Sequence, residues 1–412
     1  NLLFAGTEFG IFFTLDGGEK WIQLKSGIPD VAVRDIAIQK RESDLVLATF
    51  GRGFYVLDDY SALREVNKDL LNKDGHIFPL GDVLMYMQTS GKYGQGSTYF
   101  KAPNPPFGAT FTYYVKDVPK TLKQIRKKKE KELFKKGEPI PQPSYDDLRK
   151  EKAEVSPYLL FTIKDESGNV VRKLTKPASK GIKRITWDLR YYSSAPKEVD
   201  KFNPTKRERG STLVLPGKYS VEMALVNRDG MKQLAGPVWF ETKVLRNSTL
   251  PQADRNDLVA FQKKANELAR VMRGTERFTQ KLIKRVESLR QALLVTPAAD
   301  FELLSSAEKI AKELDDVMFK FNGQPSKASQ EEVPPQHVPL RERLGVLAYT
   351  HWRSTAPITQ TEQTAYDVLV EEFPPVLDEV KRIYTEEIIP LENKLEDIAG
   401  PWTPGRIPVW HK

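Results

Sequence analysis

Two adjacent carboxylates, Asp58 and Asp59, follow Gly53-Phe54-Tyr55-Val56-Leu57, and a pair of carboxylates is the equipment of glycoside hydrolysis. To serve as acid and base they must face each other across a sugar. Neighbours at a strand end point in opposite directions, so the pairing is a coincidence of sequence. The four histidines, His76, His337, His351 and His411, show neither H-E-x-x-H nor H-x-H spacing and suggest no metal site. His351, between Thr350 and Trp352 in a helical stretch, reads as a surface or packing residue. Gly51-Arg52-Gly53 lacks the strand-loop-helix setting of a phosphate cradle. With no cysteine, thiolate metal sites, disulfides and cysteine nucleophiles are all excluded. No catalytic residue, metal or cofactor is therefore expected.

A different kind of motif lies earlier in the chain. Thr14-Leu15-Asp16-Gly17-Gly18-Glu19-Lys20-Trp21 fits [ST]-x-D-x-G-x-x-W between two runs of strand character, and it resembles an Asp-box. Asp16 is suited to accept backbone N–H groups in a tight turn, and Gly17 and Gly18 supply positive φ. Trp21 is expected to fold back as an apolar plug. Gly10-Ile11-Phe12-Phe13 precedes the box, and Ala48 to Asp59 follow about one blade later. Together these resemble the last blades of a bacterial sortilin-like (VPS10-type) BNR/Asp-box β-propeller, a type often labelled glycosyl hydrolase. In that family Thr14, Asp16, Gly18 and Trp21 would be structural staples on the blade periphery, and Gly51-Arg52-Gly53 would belong to a blade strand.

Only about 60 residues read as blade sequence, whereas a propeller needs at least four blades of roughly 40 residues. The chain opens on Asn1 with a strand already under way at Leu2-Leu3-Phe4-Ala5. These features read as the C-terminal portion of a longer protein. The resemblance implies a β-sandwich and a helical tail after the propeller, and the missing cysteines point to bacterial rather than eukaryotic relatives.

The net charge of +9 is concentrated, since residues 116–152 hold thirteen Lys/Arg against seven Asp/Glu. Leu122, Ile125, Leu133 and Phe134 give this segment a thin apolar stripe at helical spacing, ended by Gly137 and Pro139. It reads as a solvated helix inserted in a loop. Lys127, Lys128, Lys129, Lys135 and Lys136 are the candidates for contact with an anionic surface. No aromatic residues interleave with them for base stacking, so nucleic acid is not expected.

Around that insertion the chain is β-type, with strands expected at residues 109–115, 158–164, 170–174, 181–190 and 215–225. The order D-x-x-G-N-V-V-R-x-L, W-D-L-R and L-P-G-K-Y-S-V resembles an Ig/FlgD-like sandwich, with Trp187 as core anchor and Pro216-Gly217 as a turn before an edge strand. An alternative role for Trp187, or for Tyr191-Tyr192, is carbohydrate contact. From Pro251 the period becomes about 3.5, with Leu258, Phe261, Ala265, Leu268, Met272, Leu282, Val286, Leu289 and Leu293 on one helix face. A break is expected near Gly274. Further helices follow at 303–321, 340–352 and 361–398, the last kinked at Pro374-Pro375 and Pro390. The Pro- and Trp-rich tail should pack back on the body to cover its two indoles.

The expected architecture is thus multidomain β + α: the end of a β-propeller over 1–65, a sandwich over 76–246 with a basic helical insertion at 118–152, an antiparallel helical bundle over 251–399, and a tail at 400–412. No segment is apolar and long enough to span a membrane. The function that this implies is a non-catalytic binding or scaffold protein of the bacterial cell envelope, extracytoplasmic, taking a protein, peptide or glycan and touching other envelope proteins. The alternative is a secreted glycoside hydrolase of sialidase or endoglucanase type, with its carboxylates on propeller strands outside this sequence.

Overall fold

The computed structural model describes residues 1–88, 94, 96, 98, 102–245, 255–332 and 336–410; the side chains of 330 and 351–353 are not included. The chain is mixed β and α and forms two compact units, Asn1–Tyr192 with Lys201–Asn247, and Ser193–Asp200 with Ser248–Lys412.

The first unit opens with two three-stranded antiparallel sheets. β1 (Leu3–Thr7), β2 (Gly10–Thr14) and β3 (Ile22–Gln23) form one; β4 (Val33–Gln39), β5 (Asp44–Thr49) and β6 (Gly53–Leu57) form the other. Their alternating apolar residues meet in a small core of Ile11, Val33, Leu45, Leu47 and Tyr60. Gly51-Arg52 makes the β5–β6 turn rather than part of a strand, because Gly51 and Gly53 both adopt φ 72° and Thr49 pairs with Gly53.

A short helix, α1 (Lys68–Asn72), leads into β7 (Gly75–Ile77) and β8 (Val83–Met85). Then β9 (Ala109–Val115) is separated from β10 (Tyr158–Asp165) by α2 (Leu122–Lys136) and α3 (Tyr145–Ala153). The strands β11 (Val170–Pro177), β12 (Gly181–Trp187), β13 (Gly217–Asn227) and β14 (Gly230–Val244) complete the unit. One sheet runs β11-β10-β13-β14-β8 and a second β12-β9-β7, and both contribute to one aromatic-rich core. Trp187 is fully buried there, against Tyr219 at 5.3 Å, which excludes it as a sugar platform. Pro216-Gly217 does open a strand, but β13 is the central one, paired on both sides by β10 and β14. Its pairing with β14 is a local hairpin, but its pairing with β10 is long-range and is not revealed by the local sequence.

The basic insertion is a helical hairpin rather than one helix. Thr121 and Gln124 form a capping box on α2, Gly137 closes it at φ 69°, and Ser144 caps α3. Arg126 clamps the two helices with a bidentate bond to Glu151, 2.6 and 2.8 Å. No residue of either helix is buried.

The second unit is helical: α4 (Arg255–Val295), α5 (Phe301–Asn322), α6 (Leu340–Arg353), α7 (Gln360–Arg382) and α8 (Ile389–Asp397). Their apolar faces, led by Met272, Leu289, Leu314, Phe321, Leu369 and Leu395, share one core. The break expected near Gly274 does not occur, as α4 is continuous over 41 residues. Thr275 and Thr279 are buried on its seam, and each hydroxyl donates 3.0 Å to the carbonyl four residues back. Packing outweighs a glycine cost of roughly 1 kcal/mol. Likewise α7 runs through Pro374 and Pro375, held by the buried Phe373 and Val376. A wider turn, Ile383–Ile388, precedes Pro390 at the start of α8 and absorbs its missing donor. Among the described residues no helix is long and apolar enough to cross a membrane.

The tail is held on α8 by polar contacts, since Arg406 lies 3.5 Å from Glu396 and the Val409 N–H donates 2.8 Å to the same carboxylate. The Arg406 guanidinium is buried and donates to the Pro401 carbonyl at 2.6 Å, while Trp402 Nε1 donates to the Arg406 carbonyl at 2.8 Å. Both rings stay exposed, Trp410 to 83%.

Candidate binding cleft

The first unit holds a cleft of about 780 Å³, which places the β5–β6 hairpin opposite residues of β11 and β12. The register of that hairpin builds its acidic wall. Leu45 pairs with Leu57, so the next step outward sets Asp44 beside Asp58. Asp59 takes φ 42° and turns the chain; its N–H donates to Asp44 Oδ1 at 2.9 Å, and its own carboxylate accepts from the Ser61 N–H at 3.1 Å. Burial first, and then the Asp44 charge, raises the Asp58 carboxyl above the usual Asp range, while Arg184 opposes the shift. Asp58 thus meets charges from elsewhere in the chain, Asp44 and Arg184, whereas the Asp59 carboxylate is taken up locally by Ser61.

The opposite wall is basic. Alternation along β11 and β12 brings Lys176 and Arg184 to it, and Lys173, Lys206 and Arg207 join them. Arg184 Nη2 donates 2.5 Å to the Asp59 carbonyl and ties the hairpin to β12. Lys176 Nζ donates to the Arg184 carbonyl and stands 6.0 Å from the Tyr113 ring centroid; burial, then Lys183, lowers its pKa. Below it, burial pushes the Tyr113 phenol up to about 12.

At the floor, Arg172 is buried and donates to the carbonyls of Tyr191 at 2.8 Å and Glu208 at 2.7 Å. Asp188 lies 4.0 Å from that guanidinium and accepts from the Gly210 N–H at 3.3 Å through Oδ2. Its other oxygen, Oδ1, is buried and has no hydrogen-bond partner among the described residues. Close approach here demands glycine: a Cβ on Gly108 would lie 1.8 Å from the Trp187 carbonyl oxygen.

The cleft can therefore hold a ligand bearing both charges, with a donor for Asp188. No histidine lines it, and among the described residues no group of His, Asp or Glu could hold a metal. His76 packs on Phe78, its pKa lowered by burial and Lys73, and His337 lies 3.2 Å from Glu372. His411 and the His351 side chain lie outside the described residues.

Asp58 and Asp59 line this cleft, whereas the Asp-box residues and the α2 lysines singled out in the sequence lie apart from it. Thr14 Oγ1 donates to Asp16 Oδ1 at 2.6 Å and accepts from the N–H groups of Asp16 and Gly18 at 3.3 and 3.1 Å; Asp16 Oδ1 also accepts from the Lys20 N–H at 3.0 Å. Those bonds, led by Thr14, lower the Asp16 carboxyl below its usual range. Trp21 does not act as a plug: it is 43% exposed, beside a two-residue edge strand that offers it only one flank. Lys127, Lys128, Lys129, Lys135 and Lys136 are exposed on α2, and Lys128 reaches Glu132 at 3.6 Å.

Sequence reasoning missed Asp44, Arg172, Lys176, Arg184 and Asp188. For Asp44 a signal existed, because counting outward from the Gly51-Arg52 turn pairs it with Asp58. For the others the signal was weaker, although Asp188 sits within the W-D-L-R motif. No protein-family model, curated protein or solved structure matches the chain.

Proposed function

We propose that this chain is a non-catalytic binding or scaffold protein of the bacterial cell envelope. In this reading the N-terminal hairpins are the end of a sortilin-like Asp-box propeller, the paired sheets an Ig/FlgD-like sandwich, and the helices an antiparallel bundle. Its ligand is a polypeptide segment carrying both charges, held between the acidic wall of Asp44 and Asp58 and the basic wall of Lys173, Lys176 and Arg184. The observation that carries the reading is Asp188 Oδ1 in the wall of the cleft, a buried acceptor without a partner among the described residues. Such an atom costs about 1–3 kcal/mol unless a donor meets it, and a backbone amide of a bound peptide is such a donor.

Calorimetric titration of the chain with a peptide of alternating Lys and Glu tests this. Binding should weaken as salt rises, and Asp58→Asn and Lys173→Gln should each reduce it. Equal binding of a neutral oligosaccharide, insensitive to salt and to both substitutions, would overturn the assignment. A second reading, glycoside hydrolysis, is favoured by one feature, the raised carboxyl of Asp58 beside Asp44. Turnover of an aryl glycoside that disappears in Asp58→Asn would establish it in place of the first.

A further inference from the structure

The helical unit contains a second cavity, of about 480 Å³, that the reading above does not use. Its floor is apolar, made by the buried Met272 of α4, Phe321 of α5 and Leu344 of α6. The segment Ser193–Asp200 belongs to this unit and supplies Ala195 and Pro196 to the wall; Glu198 fastens it to α4 by a 2.9 Å ion pair with Lys281.

Three guanidinium groups line the cavity, from Arg273, Arg277 and Arg341, with the carboxylate of Glu276 among them, while Glu198 outside the lining pairs with Lys281 and also feels the charge of Arg277. The Glu276 carboxylate is 3.7 Å from Arg341, which also lies 3.5 Å from the neutral Asn322 side chain. Arg277 donates to a neutral acceptor, Gln280 Oε1, at 2.9 Å. Arg273 is half-buried in the cavity wall and has no hydrogen-bond or ion-pair partner among the described residues. A helix face positions Arg273 and Arg277 four residues apart on neighbouring turns, so both forks reach one opening. Two like charges at that spacing repel, and an anion between them removes the repulsion.

We propose that this cavity binds a small amphipathic oxyanion, its carboxylate or phosphate head held by Arg273 and Arg277 and its apolar body laid on Met272, Phe321 and Leu344. Arginine supplies the planar donor fork that such heads match, and the apolar floor rejects small hydrophilic anions.

Calorimetric titration of the full chain with octanoate, octyl phosphate, octylamine and acetate tests the assignment. Octanoate or octyl phosphate should bind, the tighter of the two naming the head group, and octylamine and acetate should not. Arg273→Gln should weaken binding by about tenfold or more, as expected for a charge-assisted bond. Gly345→Phe should block it: Gly345 lines the cavity, and a Cβ there meets nothing within 4 Å, so α6 can accept the ring. Failure of both anions to bind would overturn the proposal, as would octylamine binding equally well or an unchanged affinity in Gly345→Phe. Because the cavity and the cleft share no residue, either outcome leaves the peptide-binding reading to its own test.

Discussion

The two sheet systems of the first unit are built on different physics. The paired sheets β11-β10-β13-β14-β8 and β12-β9-β7 enclose a core of Trp187, Phe111, Phe161 and Phe240 that is shut off from solvent. The N-terminal hairpins bury far less and leave large apolar side chains in water, with Phe54 78% exposed. What holds the first pair is burial at roughly 25 cal/mol per Å². What shapes the hairpins is local turn chemistry, in which Thr14, Asp16 and two glycines satisfy the backbone. A hairpin specified by its turn needs little core, but it also resists unfolding less.

The sharpest way to break this contrast is Trp187→Ala. It should destabilise the paired sheets by about 3–5 kcal/mol, read as a shift in the denaturation midpoint. If the midpoint hardly moves, burial is not what holds them. Thr14→Ala comes next, with a cost of about 1–3 kcal/mol from the two N–H groups it leaves unmet. That loss should appear as faster amide exchange confined to the Asp-box turn, and exchange spreading into β9–β14 would mean that the two systems unfold together.

Acid should pull the two hairpins in opposite directions by smaller amounts. The Asp16 carboxyl is held low in the folded chain, so its contribution is present above the ordinary Asp pKa of 3.8 and is lost as pH falls through the lower folded value. The Asp58 carboxyl is held high, so folding carries a penalty above its raised pKa that vanishes as pH falls below 3.8. NMR titration of the two carboxyl groups should show midpoints on either side of 3.8, and coincident midpoints would remove the distinction. Smallest of all is Trp21→Ala. With a solvent-exposed ring it should change stability by no more than about 0.5 kcal/mol, whereas a loss comparable to that of Trp187→Ala would restore the indole to the role of a plug.

Where the sequence was legible, the signal was short-ranged or periodic. Alternation located β9 to β13, the 3.5-residue spacing located α4, and Asn322-Gly323 marked the end of α5, where Gly323 has φ 67°. The second helix of the basic insertion was missed, although Ser144-Tyr145-Asp146-Asp147 carries an N-terminal capping signal. The cleft was the least legible feature. Asp44 and Asp58 are fourteen positions apart and meet only through the hairpin register, and Arg184 reaches Asp59 across 125 residues.

By itself, then, the sequence determined the strands β9 to β13 and the helices α4 and α5, the turn at Asp16, the burial of Trp187 and the exclusion of cysteine chemistry, because each depends on residue type and near neighbours. Only the tertiary structure decided that β13 is a central strand, that α4 is unbroken at Gly274, and that Asp188 has a buried oxygen with no partner among the described residues. Those outcomes depend on which distant groups arrive beside one another, and burial, charge pairing and hydrogen-bond satisfaction are properties of that arrangement.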